Sequence, residues 1–152
     1  MSPPSSRRLN LPDIAATEAF GSRIATLLRR GDAVLLEGPL GAGKSVLARA
    51  LLRSAAGDPA LEVPSPSFTL VQSYETPIGR IHHYDLWRVD NANDVIELDW
   101  NEAREDIVLV EWPDRLGDLR PEDALTIALD FAEGEVRVAT LQGWAERIQG
   151  LA

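Results

Sequence analysis

The order of apolar runs along the chain predicts an α/β fold, with a mixed, partly parallel central sheet flanked by helices and extended by β-hairpins. A short apolar run, Ala33–Glu37, leads through a glycine-rich loop into an amphipathic helical pattern. A second run, Ile107–Val110, is uninterrupted and rich in β-branched residues, which is typical of a strand covered on both faces. Helical patterns alternate with such strands, and this alternation favours parallel pairing.

Length and composition fit one domain. The chain has 152 residues, and 45% of them are hydrophobic, which is enough to fill one core. We expect residues 11–152 to form this domain, and residues 1–10, rich in Pro, Ser and Arg, to be a flexible tail. The sequence has no cysteine, no signal peptide and no apolar run of about 18–20 residues. A disulfide scaffold is therefore excluded, and a cytoplasmic location without membrane contact is expected.

The charge argues against direct nucleic-acid binding. The net charge is −9, and the 15 Lys and Arg residues are scattered along the sequence. A protein that holds RNA or DNA alone usually has a basic face. If a nucleic acid is involved, we expect a partner to hold it.

The first half of the chain predicts two helices. Asp13 is a suitable N-cap for the first helix, which should end at Gly31-Asp32. Its apolar face consists of Phe20, Ile24, Leu27 and Leu28. The second helix follows the glycine loop and should stop at Gly57. Its apolar face consists of Val46, Leu47, Ala50 and Leu51.

The second half predicts two hairpins and further helical segments. Pro64 and Pro66 should keep the chain extended, with alternating side chains from Ser65 to Leu70. The turn Thr76–Gly79 then joins this strand to Ile81–Asp85. A second hairpin should pair residues 124–131 with residues 135–141. A polar helical stretch is expected over residues 93–104, and a short final helix should place Trp144 and Ile148 on one side.

The loop Gly38–Ser45 satisfies the pattern G-x-x-x-x-G-K-[ST] in full. Its glycines allow successive N–H groups to point at phosphate oxygens, and the N-terminus of the following helix adds positive potential. A lysine in this pattern reaches the β- and γ-phosphates, and the hydroxyl after it can ligate Mg²⁺. A chance match is disfavoured because a strand precedes the loop and a helix follows it. The residues predicted to bind a nucleoside triphosphate are Gly38, Gly41, Ala42, Gly43, Lys44, Ser45 and Val46.

Two acidic residues stand at predicted strand ends, Asp85 after residues 81–84 and Glu111 after residues 107–110. Ligands of open α/β sheets bind at the carboxyl ends of strands. We therefore predict a catalytic set of Lys44, Asp85 and Glu111, and a Mg²⁺ site of Ser45, Asp85 and Glu111. The alternative for each acid is a solvated residue that begins a turn.

Other polar and aromatic residues admit two interpretations. Adjacent strand residues face opposite ways, so His82 and His83 cannot easily share a metal ion. His83 lies on the side of Asp85 and could hydrogen-bond near the site, whereas Arg88 could contact phosphate or pair with an acid. The four tryptophans are expected in the core, and an exposed one would indicate a protein interface. They are Trp87, Trp100, Trp112 and Trp144.

The segments GPLGAGKS, SPSFTLVQSYE, HHYDLWR and LVEWP, in this order, resemble the TsaE (YjeE) family over nearly the whole chain. Its members are small bacterial ATPases needed to make threonylcarbamoyladenosine in tRNA. The resemblance implies a P-loop NTPase fold, ATP and Mg²⁺ as cofactors, TsaB and TsaD as partners, and only indirect contact with tRNA. It assigns the loop roles to Lys44 and Ser45, the two acidic positions to Asp85 and Glu111, and a switch-like segment to Ser65–Ser67.

The departures from the family pattern are small. Ser45 and Ser67 replace threonines and keep the hydroxyl, and Trp87 replaces a tyrosine. Pro39 stands where the family loop often has Asp. A glycine common before Glu102 is missing, which leaves the geometry of residues 98–104 open. The alternatives to an ATPase are a small-molecule kinase with the same loop, or a nucleotide-dependent assembly module with incidental hydrolysis.

Overall fold

The computed structural model describes residues 6–66 and 69–151. Within these ranges, seven strands form one sheet: β1 (Ser6–Leu11), β2 (Ala33–Glu37), β3 (Val71–Thr76), β4 (Gly79–Asp85), β5 (Ile107–Glu111), β6 (Leu125–Phe131) and β7 (Arg137–Gln142). The α-helices of the described residues are α1 (Ile14–Ala25), α2 (Lys44–Ala56), α3 (Ala92–Ile96) and α4 (Trp100–Ala103). Short 3₁₀ helices span Pro113–Leu119 and Arg147–Leu151.

The strand order is β1-β7-β6-β2-β5-β4-β3. The central pairs β6–β2, β2–β5 and β5–β4 are parallel, whereas the flanking pairs are antiparallel. The predicted α/β class with a partly parallel sheet is confirmed. Strand β5 is buried along its whole length, as its apolar sequence indicates.

Helices cover both faces of the sheet because β2 presents apolar side chains alternately to each side. Val34 and Leu36 pack into a cluster with residues of α1 and α2, such as Phe20 and Leu51. Leu35 packs on the opposite face, in a cluster with residues of α3 and α4. Strand β2 is therefore held between two cores, which fixes the point from which the loop starts.

Both predicted caps of the first two helices are present. The Asp13 carboxylate accepts a hydrogen bond from the Ala16 N–H at 2.8 Å. Gly57 ends α2 in the left-handed conformation, with φ at +68°. Helix α1 ends at Ala25, earlier than expected, and irregular turns continue to Gly31. No helix in the described part of the chain has the length and apolarity needed to cross a membrane.

The expectation of a flexible tail over residues 1–10 is wrong for residues 6–10, which belong to strand β1. This strand pairs with β7 along its whole length, and Leu11 is buried in the core. The Arg7 guanidinium donates to the carbonyl oxygens of Ile148 and Gln149 at 3.2 and 2.9 Å. Residues 1–5 lie outside the described ranges.

Three further expectations are corrected. The strand predicted from Ser65 begins at Val71, because Leu70 has a left-handed φ of +68° that interrupts extended pairing. The stretch 93–104 forms two short helices because Asp99 has φ +60°. The final helix is a 3₁₀ segment that starts after Trp144, whose φ of +49° also departs from helical geometry.

Candidate functional site

The glycine loop joins the carboxyl end of β2 to the N-terminus of α2. Gly38, Gly41 and Gly43 have φ values of +140°, +83° and +107°, which L side chains rarely adopt. The first bond of the helix runs from the Leu47 N–H to the Gly43 oxygen. The N–H groups of residues 44–46 precede this bond, and no side chain from the described residues caps the helix. This arrangement suits an anion.

Lys44 is the first residue of α2 and is only 5% exposed. Its ammonium donates to the Gly38 carbonyl oxygen and lies 3.6 Å from the centroid of the Trp112 ring. Burial lowers the pKa of Lys44 below its ordinary value, and the carboxylates of Glu111, Asp85 and Asp114 oppose this shift. The lysine is therefore held beside acids at the base of the loop.

Asp85 and Glu111 are brought together as the sequence predicts. They end the adjacent parallel strands β4 and β5 and are opposite each other in the register. Both are buried, at 7% and 5% exposure, so they are not the solvated turn residues of the alternative interpretation. The Asp85 carboxylate also accepts a hydrogen bond from the Trp87 N–H at 3.1 Å.

These groups surround one cavity of about 350 Å³. Its lining consists of Leu40, Gly41, Gly43, Lys44, Ser45, Val46, Ser65, Asp85, Glu111 and Trp112. Of the predicted loop contacts, Gly38 and Ala42 do not line it: Gly38 holds the lysine through its carbonyl oxygen, and Ala42 is fully buried. The lining combines amide donors, an ammonium, a hydroxyl and two carboxylates in one small volume.

The donor set fits a triphosphate with a divalent cation. The buried Lys44 ammonium interacts electrostatically with the acidic side chains of Glu111, Asp85 and Asp114, so acidic groups outnumber it here. Carboxylate and hydroxyl oxygens are the ligands that Mg²⁺ prefers in phosphate sites. Ser45, Asp85 and Glu111 are the side chains that would hold the ion, whereas the loop amides would face the phosphates.

The two histidines have separate roles. The His83 ring nitrogen Nε2 lies 2.7 Å from Glu111 Oε2, and both side chains are nearly fully buried. His82 faces the other way, where its ring contacts Ser73 at 2.7 Å and Asp106 at 2.9 Å. No group of three or more potential metal-ligating His, Cys, Asp or Glu side chains occurs within the described ranges.

Trp112 was expected in the core, but it lines the cavity. It follows Glu111 with φ at +60°, and this conformation turns the chain so that the ring covers Lys44. Trp87 packs against Trp112, with ring centroids 4.4 Å apart, and is 46% exposed, so the core expectation is wrong for it too. Trp100 is buried as predicted, and Trp144 is half-buried against the core.

A second cavity of about 240 Å³ lies on the other side of the loop. It shares Gly41, Gly43 and Val46 with the first cavity. The rest of its lining consists of Asp13, Ile14, Thr17, Ala42, Glu135 and Arg137. The sequence does not predict this cavity. Helix α1 and strand β7 are separated from the loop in the sequence and come near it only because of the order of the strands in the sheet.

Two predicted contributors are less closely tied to the site. Arg88 is exposed and is not among the residues that line the first cavity. In the predicted switch-like segment, Ser65 lines this cavity, whereas Ser67 and Phe68 fall outside the described residues.

A glycine loop between a central parallel strand and a helix, facing two strand-end carboxylates, defines a P-loop protein of the nucleotide-binding class. The family model described as "Threonylcarbamoyl adenosine biosynthesis protein TsaE" matches residues 11–139. The chain belongs to this TsaE family.

Relatives named "tRNA threonylcarbamoyladenosine biosynthesis protein TsaE" agree with this membership. The protein of Rickettsia typhi is 31% identical over 127 residues, which cover 83% of this chain and 88% of the relative. The protein of Streptomyces coelicolor is 36% identical over 137 residues, 84% of this chain and 90% of the relative. The crystal structure of Bacillus subtilis YdiB matches with a TM-score of 0.78 at 22% identity, covering 99% of this chain and 94% of that one. This last likeness supports the fold.

Proposed function

We propose that this protein binds and hydrolyses ATP with Mg²⁺, and that it serves the threonylcarbamoyladenosine modification of tRNA together with TsaB and TsaD. The observation that carries the proposal is the convergence of Lys44, Ser45, Asp85 and Glu111 on one cavity beside the glycine loop. The TsaE family and the names of its relatives support the tRNA modification role. Bound Mg²⁺ would neutralise charge on the phosphates.

Each residue of the cavity has a distinct task in this proposal. The N–H groups at the start of α2 and the Lys44 ammonium bind phosphate oxygens. Ser45 and Asp85 would supply oxygen ligands to the ion, and Glu111 would hold it through a water. Glu111 orients the attacking water by accepting its hydrogen bond at a carboxylate oxygen.

The nucleoside extends into the second cavity in this proposal, because the two cavities adjoin at the shared residues Gly41, Gly43 and Val46. Glu135 and Arg137 offer polar groups there, and Ile14, which is 62% exposed, offers an apolar surface for a base or sugar. Competition of ATP with GTP in the wild type and in Glu135→Ala tests this placement. A changed preference supports base contact at Glu135, and an unchanged preference contradicts it.

Slow hydrolysis by the isolated protein is expected because no arginine from the described residues lines the cavity. Lys44 is the only basic side chain that the described residues contribute to its lining. An arginine supplied by a partner can accelerate hydrolysis by about 10³–10⁵-fold. The net charge of −9 favours docking on a basic partner surface over direct contact with tRNA.

The test is a steady-state phosphate-release assay with the protein alone, with TsaB and TsaD, and with tRNA alone. We expect slow turnover alone, acceleration by the protein pair, and little effect of bare tRNA. Glu111→Gln should retain ATP binding and lose about 10²–10³-fold in turnover. Fast turnover alone, equal stimulation by bare tRNA, or wild-type turnover by the variant would contradict the proposal. Transfer of phosphate to an added small molecule instead of water would favour the kinase alternative.

A further inference from the structure

The carboxylate of Glu111 is in hydrogen-bonding contact with the ring of His83. The two side chains are 6% and 3% exposed, and His83 Nε2 lies 2.7 Å from Glu111 Oε2. This distance is typical of a hydrogen bond from a ring N–H to an ionised carboxylate. The backbone register places Asp85 opposite Glu111, and His83 lies two residues before Asp85, on the same face of the sheet.

His83 has no direct access to the reaction. It is absent from the residues that line the cavity, whereas Glu111 lines it. An ionised carboxylate only accepts hydrogen bonds, so a hydrogen bond to ionised Glu111 places the proton on Nε2 of His83. Nδ1 of the same ring is buried without a hydrogen-bond partner among the described residues. The tautomer with its proton on Nε2 fits this environment. In this tautomer Nδ1 carries no proton, so the buried atom without a partner is an acceptor and not an N–H donor.

We propose that His83 is a positioning residue for hydrolysis: its Nε2–H fixes one oxygen of Glu111 and so orients the other toward the cavity. This inference rests on the proposed function, because Glu111 must orient water for its orientation to affect the rate. A buried carboxylate has several rotamers in reach, and a single strong hydrogen bond selects one of them. Groups that orient a functional side chain in this way contribute about 10–100-fold to activity.

His82 provides a matched control on the same strand. It is also a histidine with a carboxylate partner, at 2.9 Å from Asp106 Oδ2, but its ring lies on the opposite face and outside the nucleotide cavity. Loss of the His82 ring removes a comparable hydrogen bond without touching Glu111. A general effect of histidine loss on the stability of β4 would therefore appear in both variants.

The experiment compares His83→Leu, His83→Gln and His82→Leu with the wild type in the ATPase assay with TsaB and TsaD. The leucine variant at 83 should lose about 10–100-fold in kcat with nearly unchanged KM and nucleotide affinity. The glutamine variant keeps an N–H donor at similar reach and should recover most of the rate, and His82→Leu should retain kcat. In a Glu111→Gln background, His83→Leu should cause almost no further loss, since both changes remove the same function.

The outcomes separate the inference from the proposed function. A wild type without turnover, alone and with the protein pair, contradicts both. An active wild type with an equally active His83→Leu variant contradicts the inference alone, as does a full additional loss in the Glu111→Gln background. If His83→Leu does not fold, His83→Asn replaces it in the comparison. The asparagine side chain is one methylene shorter than that of glutamine, so its amide N–H reaches less far toward Glu111. A rate for the Asn variant below that of the Gln variant then supports positioning, and equal rates contradict it.

Discussion

Replacement of Lys44 by alanine removes the ammonium at the base of the glycine loop. The side chain is 5% exposed and lies between the Gly38 carbonyl oxygen and the Trp112 ring, so a ligand in the cavity would meet it in a largely desolvated position. The other lining groups that would contact phosphate are backbone amides, which remain in the variant. The expected result is a large loss of affinity without loss of the fold.

The magnitude follows from the burial of Lys44. Two unit charges about 4 Å apart attract each other by about 4 kcal/mol at an effective dielectric constant of 20, which is appropriate to such a site. Part of this energy offsets the desolvation of the ammonium, which also lowers its pKa. We therefore expect the Kd for Mg·ATP to rise by about 10²–10³-fold.

Calorimetric titration with Mg·ATP measures this change, and a thermal melt of each protein checks the fold. Arg49→Ala is the matched control, because Arg49 is a basic residue of the same helix that does not line the cavity. It should bind nucleotide almost as the wild type does. A folded Lys44→Ala protein with wild-type affinity would refute the assignment of the loop.

Three further results are expected. Asp85→Asn should bind ATP with a weaker dependence on Mg²⁺, measured by titrations with the ion and with a chelator, and a normal Mg²⁺ requirement would remove it from the site. Gly38→Ala should lower the free energy of unfolding by about 2–5 kcal/mol in a denaturant titration, because a Cβ there lies 2.3 Å from the Leu129 oxygen at φ +140°. The control Gly134→Ala, where φ is +59° and a Cβ meets no atom within 4 Å, should lose less, and equal losses would contradict this account. Nucleotide binding should change the tryptophan fluorescence and Trp112→Phe should abolish most of that change, since this ring covers the loop lysine; an undiminished signal would assign the change to another tryptophan.

The part of the site that the sequence predicts is local. Strand β2, the glycine loop and the start of α2 are contiguous, and each residue type in Gly38–Ser45 has a direct physical reason. Asp85 and Glu111 could also be placed, because the end of an apolar strand is visible in the sequence and parallel strands end at one edge. Once β4 and β5 are neighbours in the sheet, their register places the two acids opposite each other.

The rest depends on contacts that no short segment encodes. The second cavity combines Asp13 and Arg137, which are distant in sequence and meet the loop because β6 pairs with β2. The role of Trp112 depends on its left-handed backbone, which a bulky residue rarely adopts and which its residue type does not indicate. Pro, Ser and Arg favour a flexible tail over residues 1–10, whereas the alternation of Leu9 and Leu11 is a strand signal, and the strand forms.

Nucleotide binding at the glycine loop is tested most directly by a crystal structure of the protein with Mg²⁺ and a non-hydrolysable ATP analogue. We expect the β-phosphate against the N–H groups of residues 44–46, with the Lys44 ammonium turned from Gly38 toward the phosphates. We also expect the ion within reach of the Ser45 hydroxyl and of the strand-end carboxylates. A nucleotide bound elsewhere, for example in the cavity of about 480 Å³ between α1 and α2, would contradict binding at the glycine loop.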